Sequence, residues 1–308
     1  MIGLCYVFLA IENMIEQKIN RRIALIGKFN KLHDEEYIAR SFEELGVRVY
    51  RINEKISFLE IKEILDWFEP DYVMWFKLSH SQAQLVRDYC RKFKTICWVF
   101  DLYWGYQRES RLKSVAFTAD YVFSTDNGHQ KEFKDIGIRH ECVRQGIYDP
   151  ECWIYSDTKV YDVVFVGSDN PYYLERTKLI KQLQLDFNLQ WFGKHDTNEI
   201  RGEDLNVLYS QSKIVVGDSV YSPHYWSNRV VETLGRGGFL IHRDVEGLKE
   251  AYPYLVTYDG TYEDLKNKIE YYLEHDNERE EIIIKNYEWV RDNYTATKQC
   301  QRLLNYIL

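Results

Sequence analysis

Residues 221–248 read YSPHYWSNRVVETLGRGGFLIHRDVEGL. A polar loop opens the stretch. The spacing predicts a short helix carrying Arg229 and Glu232, a break at Gly237-Gly238, and an apolar strand at Phe239-Leu240-Ile241. A cation and a carboxylate three residues apart share one helix face. The first turn of a helix offers unpaired N–H groups and the positive end of the dipole, which favour phosphate. Arg229 would add a bidentate grip on phosphate. Glu232 would accept hydrogen bonds from two neighbouring sugar hydroxyls. That chemistry fits a nucleotide diphosphate sugar. The plainer reading is an i,i+3 ion pair worth roughly a few tenths of a kcal/mol.

Working outward, strands alternate with helical patterns from Arg22 onward. Ile23–Ile26, Val47–Ile52, Tyr72–Phe76, Thr95–Phe100 and Tyr121–Ser124 read as strands, with helical spacing over Asp34–Leu45 and Leu59–Phe68. The rhythm breaks over His140–Val160, which holds Gly146 and Pro150. A second set then begins, with strands at Val163–Val166, Leu189–Phe192, Lys213–Val216, Phe239–Ile241 and Tyr254–Thr257. Leu265, Ile269 and Tyr272 mark an amphipathic helix over Tyr262–Leu273. Strand–helix alternation predicts parallel sheets covered on both faces. The expected division is an extension over 1–20, a first α/β domain over 21–145, a linker over 146–160, a second α/β domain over 161–294, and a final helix over 295–308. Ligands of such open sheets bind beyond the carboxyl ends of the strands.

At 308 residues the chain is long for one core and suits two domains. Apolar residues make up 45% and charged residues 29%, as in a soluble globular protein. The 25 tyrosines and eight tryptophans supply stacking surfaces. A formal charge of −8 lacks the basic footprint of a nucleic-acid binder. The six cysteines, at 5, 90, 97, 142, 152 and 300, show no metal-ligand spacing and suit a reduced, cytoplasmic compartment. The apolar run Ile2–Ile11 is too short to span a bilayer and lacks a signal peptide's flanks. It is expected to be an extra helix packed on the body; a membrane-surface anchor is the alternative.

The order of Arg229, Glu232, Thr233, Gly235, Gly237 and the strand Phe239-Leu240-Ile241 resembles the nucleotide-sugar site of group-1 glycosyltransferases, and within them the spore-protein (CgeB-like) branch. Residues 265–304 resemble that family's C-terminal helices, including the Tyr294-Thr295 junction. Tyr161–Leu183 resembles the opening of its second domain, and Tyr121–Gly137 is also similar. The resemblance covers about residues 120–305, the N-terminal part more loosely. It implies the α/β GT-B fold: two Rossmann-like domains facing a central cleft, with the C-terminal helix crossing back to the first domain. It further implies that the second domain holds the nucleotide-sugar and the first the acceptor.

Several residues gain roles from that resemblance, each beside a plainer one. Gly167-Ser168 after the strand Val163–Val166 would let backbone approach phosphate, or form an ordinary turn. Arg176, after Pro171, Tyr172 and Tyr173, would touch phosphate or sugar, or be a solvated arginine. Gly193 would admit the base and Lys194 would reach phosphate, or lie on the surface. Tyr221 and Ser222 would hold sugar or diphosphate; Ser227 and Asn228 read as helix caps. In the first domain, Asp101 would accept the acceptor hydroxyl's proton, or cap the following helix. His80 would contact the acceptor, or serve structure. Gly27 and His33 flank the loop after the first strand, where the family is glycine-rich and this sequence keeps Gly27 alone, so the transfer of role is thin.

No G-x-G-x-x-G, G-x-S-x-G, H-E-x-x-H or Walker loop occurs. With no Asp-x-Asp pair, no metal ligand is assigned, no cofactor is expected, and the nucleotide-sugar is a co-substrate. The expected reaction moves a sugar from a UDP-sugar to a hydroxyl on a saccharide, protein or other acceptor. The competing readings are an inactive binding protein of the same fold, and transfer to modified DNA bases, which the negative charge disfavours.

Overall fold

The computed structural model describes residues 21–30, 33–76, 80–89, 92–102, 104, 110, 112, 119–156, 158–169, 174–193, 200–219 and 221–308. The expectations for 1–20, for Pro171-Tyr172-Tyr173 and for Lys194 lie outside them, as does that for the His80 side chain. The chain forms two compact units. The first gathers the described residues through Ser124 with Gln130–Val143 and Cys300–Leu308; the second holds Thr125–His129 and Arg144–Gln299.

In the first unit a six-stranded parallel sheet is built from β1 (Arg22–Gly27), β2 (Arg48–Asn53), β3 (Tyr72–Trp75), β4 (Lys94–Val99), β5 (Tyr121–Ser124) and β6 (His140–Cys142). Its order is β2-β1-β3-β4-β5-β6. Alternate side chains face opposite ways, so each central strand supplies both faces. Ala24, Ile26, Val73, Trp75, Cys97 and Val99 share one apolar cluster with Ile61 and Leu65 of α2 (Phe58–Phe68), Val86 of α3 (His80–Tyr89) and Phe133 of α4 (Gln130–Asp135). Ile23, Leu25, Met74, Ile96, Trp98 and Phe123 share the other with Ile38 and Phe42 of α1 (Asp34–Glu44). Ser57 starts α2 with a capping box, its hydroxyl accepting from the Glu60 amide while the Glu60 carboxylate accepts from the Ser57 amide.

In the second unit five parallel strands take the order β11-β10-β9-β7-β8, from β7 (Tyr161–Val166), β8 (Leu189–Phe192), β9 (Ser212–Gly217), β10 (Leu240–Arg243) and β11 (Val256–Tyr258). Val163, Phe165, Ile214, Val216 and Ile241 pack with Ile180 and Leu183 of α5 (Leu174–Asp186), Leu265 and Ile269 of α9 (Tyr262–Glu274) and Ile283 of α10 (Asp276–Asn293). Val164, Val215 and Leu240 pack with Leu208 of α6 (Glu203–Ser210), with Val230, Val231 and Leu234 of α7 (Arg229–Gly235), and with Leu248 of α8 (Leu248–Ala251). The last helix, α11 (Ala296–Ile307), sends Cys300, Leu303, Leu304 and Ile307 into the second apolar cluster of the first unit. The Tyr72 hydroxyl donates to the Ile307 carbonyl at 3.1 Å.

Two expectations need correction. The stretch 146–160 is no free linker, because it packs into the second unit. Ile147 and Cys152 are buried in that core, and the Asn206 amide donates to the Glu151 and Trp153 carbonyls at 2.8 and 2.6 Å. Within the supposed break, His140–Cys142 adds a sixth strand. It is a three-residue edge strand, half-buried throughout, so no apolar run announces it.

Candidate functional site

The second unit's order gives it a topological switch point between β7 and β9, where chain connections leave in opposite directions. Gly167 and Asp218 follow the carboxyl ends of these strands. Arg229 ties the two together: its Nε donates to the Val166 carbonyl at 3.0 Å and its Nη1 to the Asp218 carbonyl at 2.9 Å. Nη2 faces Gly167 so closely that a Cβ there would come within 2.7 Å of it and 3.1 Å of the Phe165 ring. That crowding requires glycine. Gly193, in the left-handed region at φ 77°, lies against Gly167 in turn. The Gly167 amide donates to the Phe192 carbonyl at 2.9 Å, and Trp191 Nε1 to the Gly167 carbonyl at 2.7 Å.

The structure thus brings Gly167, Ser168, Arg176, Gly193 and Arg229 together, but alters how two arginines are used. Main-chain carbonyls at strand ends need donors, and these guanidinium groups provide them. Two of the five Arg229 N–H donors hold the strand ends, which leaves a phosphate grip to the outer edge of the fork. Arg176 Nη2 donates to the Ser168 carbonyl at 2.5 Å. Both guanidinium carbons stand over the buried Phe165 ring, at 5.5 Å for Arg176 and 5.0 Å for Arg229. Glu232, on α7, receives Asn228 Nδ2 at 3.2 Å and pairs with Arg236 Nη2 at 2.9 Å. Asn228 occupies the N-cap position without a side-chain cap, contrary to expectation, because its amide reaches Glu232 instead. Ser222 is buried in the turn closed by the Tyr225 amide on the Ser222 carbonyl, while Tyr221 stands exposed.

Four residues escaped the sequence reading: Asp218, Ser219, His242 and Arg243. Asp218 is 8% exposed and its Oδ1 has no hydrogen-bond partner among the described residues. Burial raises its pKa, against the opposing pull of Arg243, Arg229 and Arg176. His242 Nδ1 lies 2.7 Å from the Arg243 carbonyl, which can only accept; Nε2, at 3.0 Å from Ser219 Oγ, is then the acceptor. Position after a strand was the only available signal for these residues.

Burial pushes His242 from 6.5 down to about 4; its hydrogen bond to the Arg243 carbonyl opposes this, and the Arg229 and Arg243 charges reinforce it. Burial likewise lowers His140, stacked 3.8 Å from Phe133, to about 4. Between pH 6.5 and 4 the unfolded chain binds protons that the folded chain refuses, so stability falls as pH drops through that window. The expected slope is about 1.4 kcal/mol per pH unit for each histidine. Urea unfolding at pH 7 and 5 checks it. If His242→Gln leaves the pH dependence unchanged, His242 is not a source of it.

In the first unit Gly27 ends β1 and His33 precedes α1, with Nδ1 3.9 Å from Glu35 Oε2. Asp101 lies two residues beyond β4. These residues therefore follow carboxyl ends of that sheet.

Sequence comparison bears on the stretch that carries the switch point. Residues 159–305 match a family model described as glycosyl transferase-like. This supports the group-1 glycosyltransferase resemblance for the second unit. No curated protein sequence matches the chain. Among solved structures, the HepE protein of Anabaena in complex with UDP is similar with a TM-score of 0.63 at 11% identity, over 93% of this chain and 99% of that one. An α1,3-fucosyltransferase gives 0.58 at 12%, over 94% and 90%. The UDP-GlcNAc 2-epimerase of Neisseria meningitidis bound to UDP-GlcNAc gives 0.54 at 11%, over 93% and 99%. At such identities the likeness is one of fold, and the fold is the two-Rossmann-like GT-B fold. Among the described residues no helix is long and apolar enough to cross a membrane.

Proposed function

We propose that the protein is a glycosyltransferase of the spore-protein (CgeB-like) branch, moving a sugar from a UDP-sugar to a hydroxyl acceptor. One observation carries this reading: the glycosyl transferase-like stretch folds into a switch point whose strand ends bring glycines and guanidinium groups together. Such an edge offers close backbone approach and positive charge to a diphosphate. Glu232 is the proposed acceptor of the ribose hydroxyls, held by Arg236 and Asn228. In the reaction the bond from the anomeric carbon to the diphosphate oxygen breaks as the bond to the acceptor oxygen forms. The diphosphate leaves with its electron pair beside the arginines, and Asp101 is the proposed recipient of the hydroxyl proton. Guanidinium groups serve as leaving-group stabilisers, with no metal in the scheme.

UDP and a panel of UDP-sugars are expected to raise the melting temperature, since a ligand of the native state stabilises by mass action. Glu232→Ala should erase most of that rise. Because an epimerase shares the fold, the decisive measurement is sugar transfer to an added saccharide acceptor. Absence of stabilisation by any nucleotide would discard the assignment.

A further inference from the structure

Arg243 ends β10, and its environment differs from that of the other two arginines at this edge. Arg229 and Arg176 give donors to main-chain carbonyls. Among the described residues the Arg243 guanidinium makes no hydrogen bond or ion pair; it packs against Gly260, where a Cβ would come within 2.8 Å of Nε, and stands over the ring of Tyr221, 5.1 Å from the guanidinium carbon. Tyr221 is 54% exposed. Beside this unengaged fork lies the carboxylate of the buried Asp218, on which Arg243 exerts the largest attraction of the three arginines. The Ser219 amide hydrogen bonds that carboxylate, yet Oδ1 stays unmatched. A buried carboxylate oxygen without a donor is costly, and the half-buried guanidinium next to it has donors to spare. A ligand that brings an anion to the guanidinium and a hydroxyl to the carboxylate would engage both groups. A diphosphate carrying a sugar supplies both groups on one molecule. Three cations against one carboxylate leave the cluster positive, which suits the diphosphate.

We propose that Arg243 and Asp218 recognise the donor: the Arg243 fork grips the diphosphate, with Tyr221 bracing it from the solvent side, and Asp218 Oδ1 accepts a sugar hydroxyl. This rests on the donor-site reading above. It assigns the phosphate grip to Arg243, whereas Arg229 organises the strand ends.

The test is calorimetric titration of wild type, Arg243→Gln, Arg243→Lys and Asp218→Asn with UDP, UMP and the UDP-sugar that best stabilises the wild type, or with the guanine counterparts if GDP is the nucleotide that binds. Arg243→Gln should weaken the diphosphate about tenfold to a hundredfold while affecting the monophosphate much less. Arg243→Lys keeps the charge but loses the fork, and should fall between. Asp218→Asn should leave UDP affinity within a few-fold and abolish the extra affinity of the UDP-sugar over UDP. An unchanged melting temperature without ligand separates these effects from misfolding. If Arg243→Gln does not fold, Arg243→Lys decides. A wild-type ratio of diphosphate to monophosphate affinity in the folded variant overturns the proposal and leaves the donor-site reading standing. If neither UDP nor GDP binds the wild type, both fall.

Discussion

Arg229→Ala is expected to lower the rate of sugar transfer by about a hundredfold, the scale of loss when a substitution misplaces the groups around the reacting atoms by about an ångström. The reason lies in the two carbonyls it holds. Val166 and Asp218 end adjacent strands at the switch point, and Arg229 Nε and Nη1 join them at 3.0 and 2.9 Å. Alanine leaves both carbonyls without that donor and withdraws a positive charge from the Gly167 turn. Lysine restores the charge but offers one ammonium where a planar fork spanned two acceptors, so Arg229→Lys should stay well below wild type. Single-turnover transfer from the stabilising donor gives the measurement. A rate for Arg229→Ala within tenfold of wild type would show that the tie is dispensable.

The largest loss of stability is expected at Arg236. It is 2% exposed, and its Nη2 pairs with both Glu151 and Glu232. Arg236→Leu leaves Glu151, itself 8% exposed, without its cation, at a cost of about 3–5 kcal/mol. The pair need not be stabilising as a whole. Arg236 Nε and Nη1 find no partner among the described residues, so the guanidinium is only partly satisfied. Replacing both Arg236 and Glu151 by leucine should therefore recover most of the loss. Urea midpoints of the single and double variants test this. Equal destabilisation in both would locate the cost in packing, not charge.

How much of this was legible beforehand differs by level. The alternation of apolar runs placed ten strands close to their observed positions, because strands buried on both faces read as continuous hydrophobic segments. β6 carried no such run and was missed. At the site, the glycines and Arg229 were visible through their order along the chain. What Arg229 holds was not, since its acceptors are carbonyls 63 and 11 residues away. Asp218 and Arg243 lay beyond sequence reading for a similar reason. An unmatched carboxylate oxygen and an unengaged guanidinium are properties of packing, and no local spacing encodes them. The same holds for Arg236, whose partner Glu151 lies 85 residues back in a stretch that read as a connector.

The first unit is discontinuous in sequence, and this shapes how the chain can fold as it leaves the ribosome. One apolar face of its sheet is closed by Cys300, Leu303, Leu304 and Ile307, which are translated after the entire second unit. Until then that face is covered only in part, by Ile38 and Phe42 of α1, and the nascent chain carries a sticky surface suited to chaperone capture. Dissecting the protein at any single cut would recreate this unfinished state permanently, so a soluble first half requires the distal helix to be supplied as well.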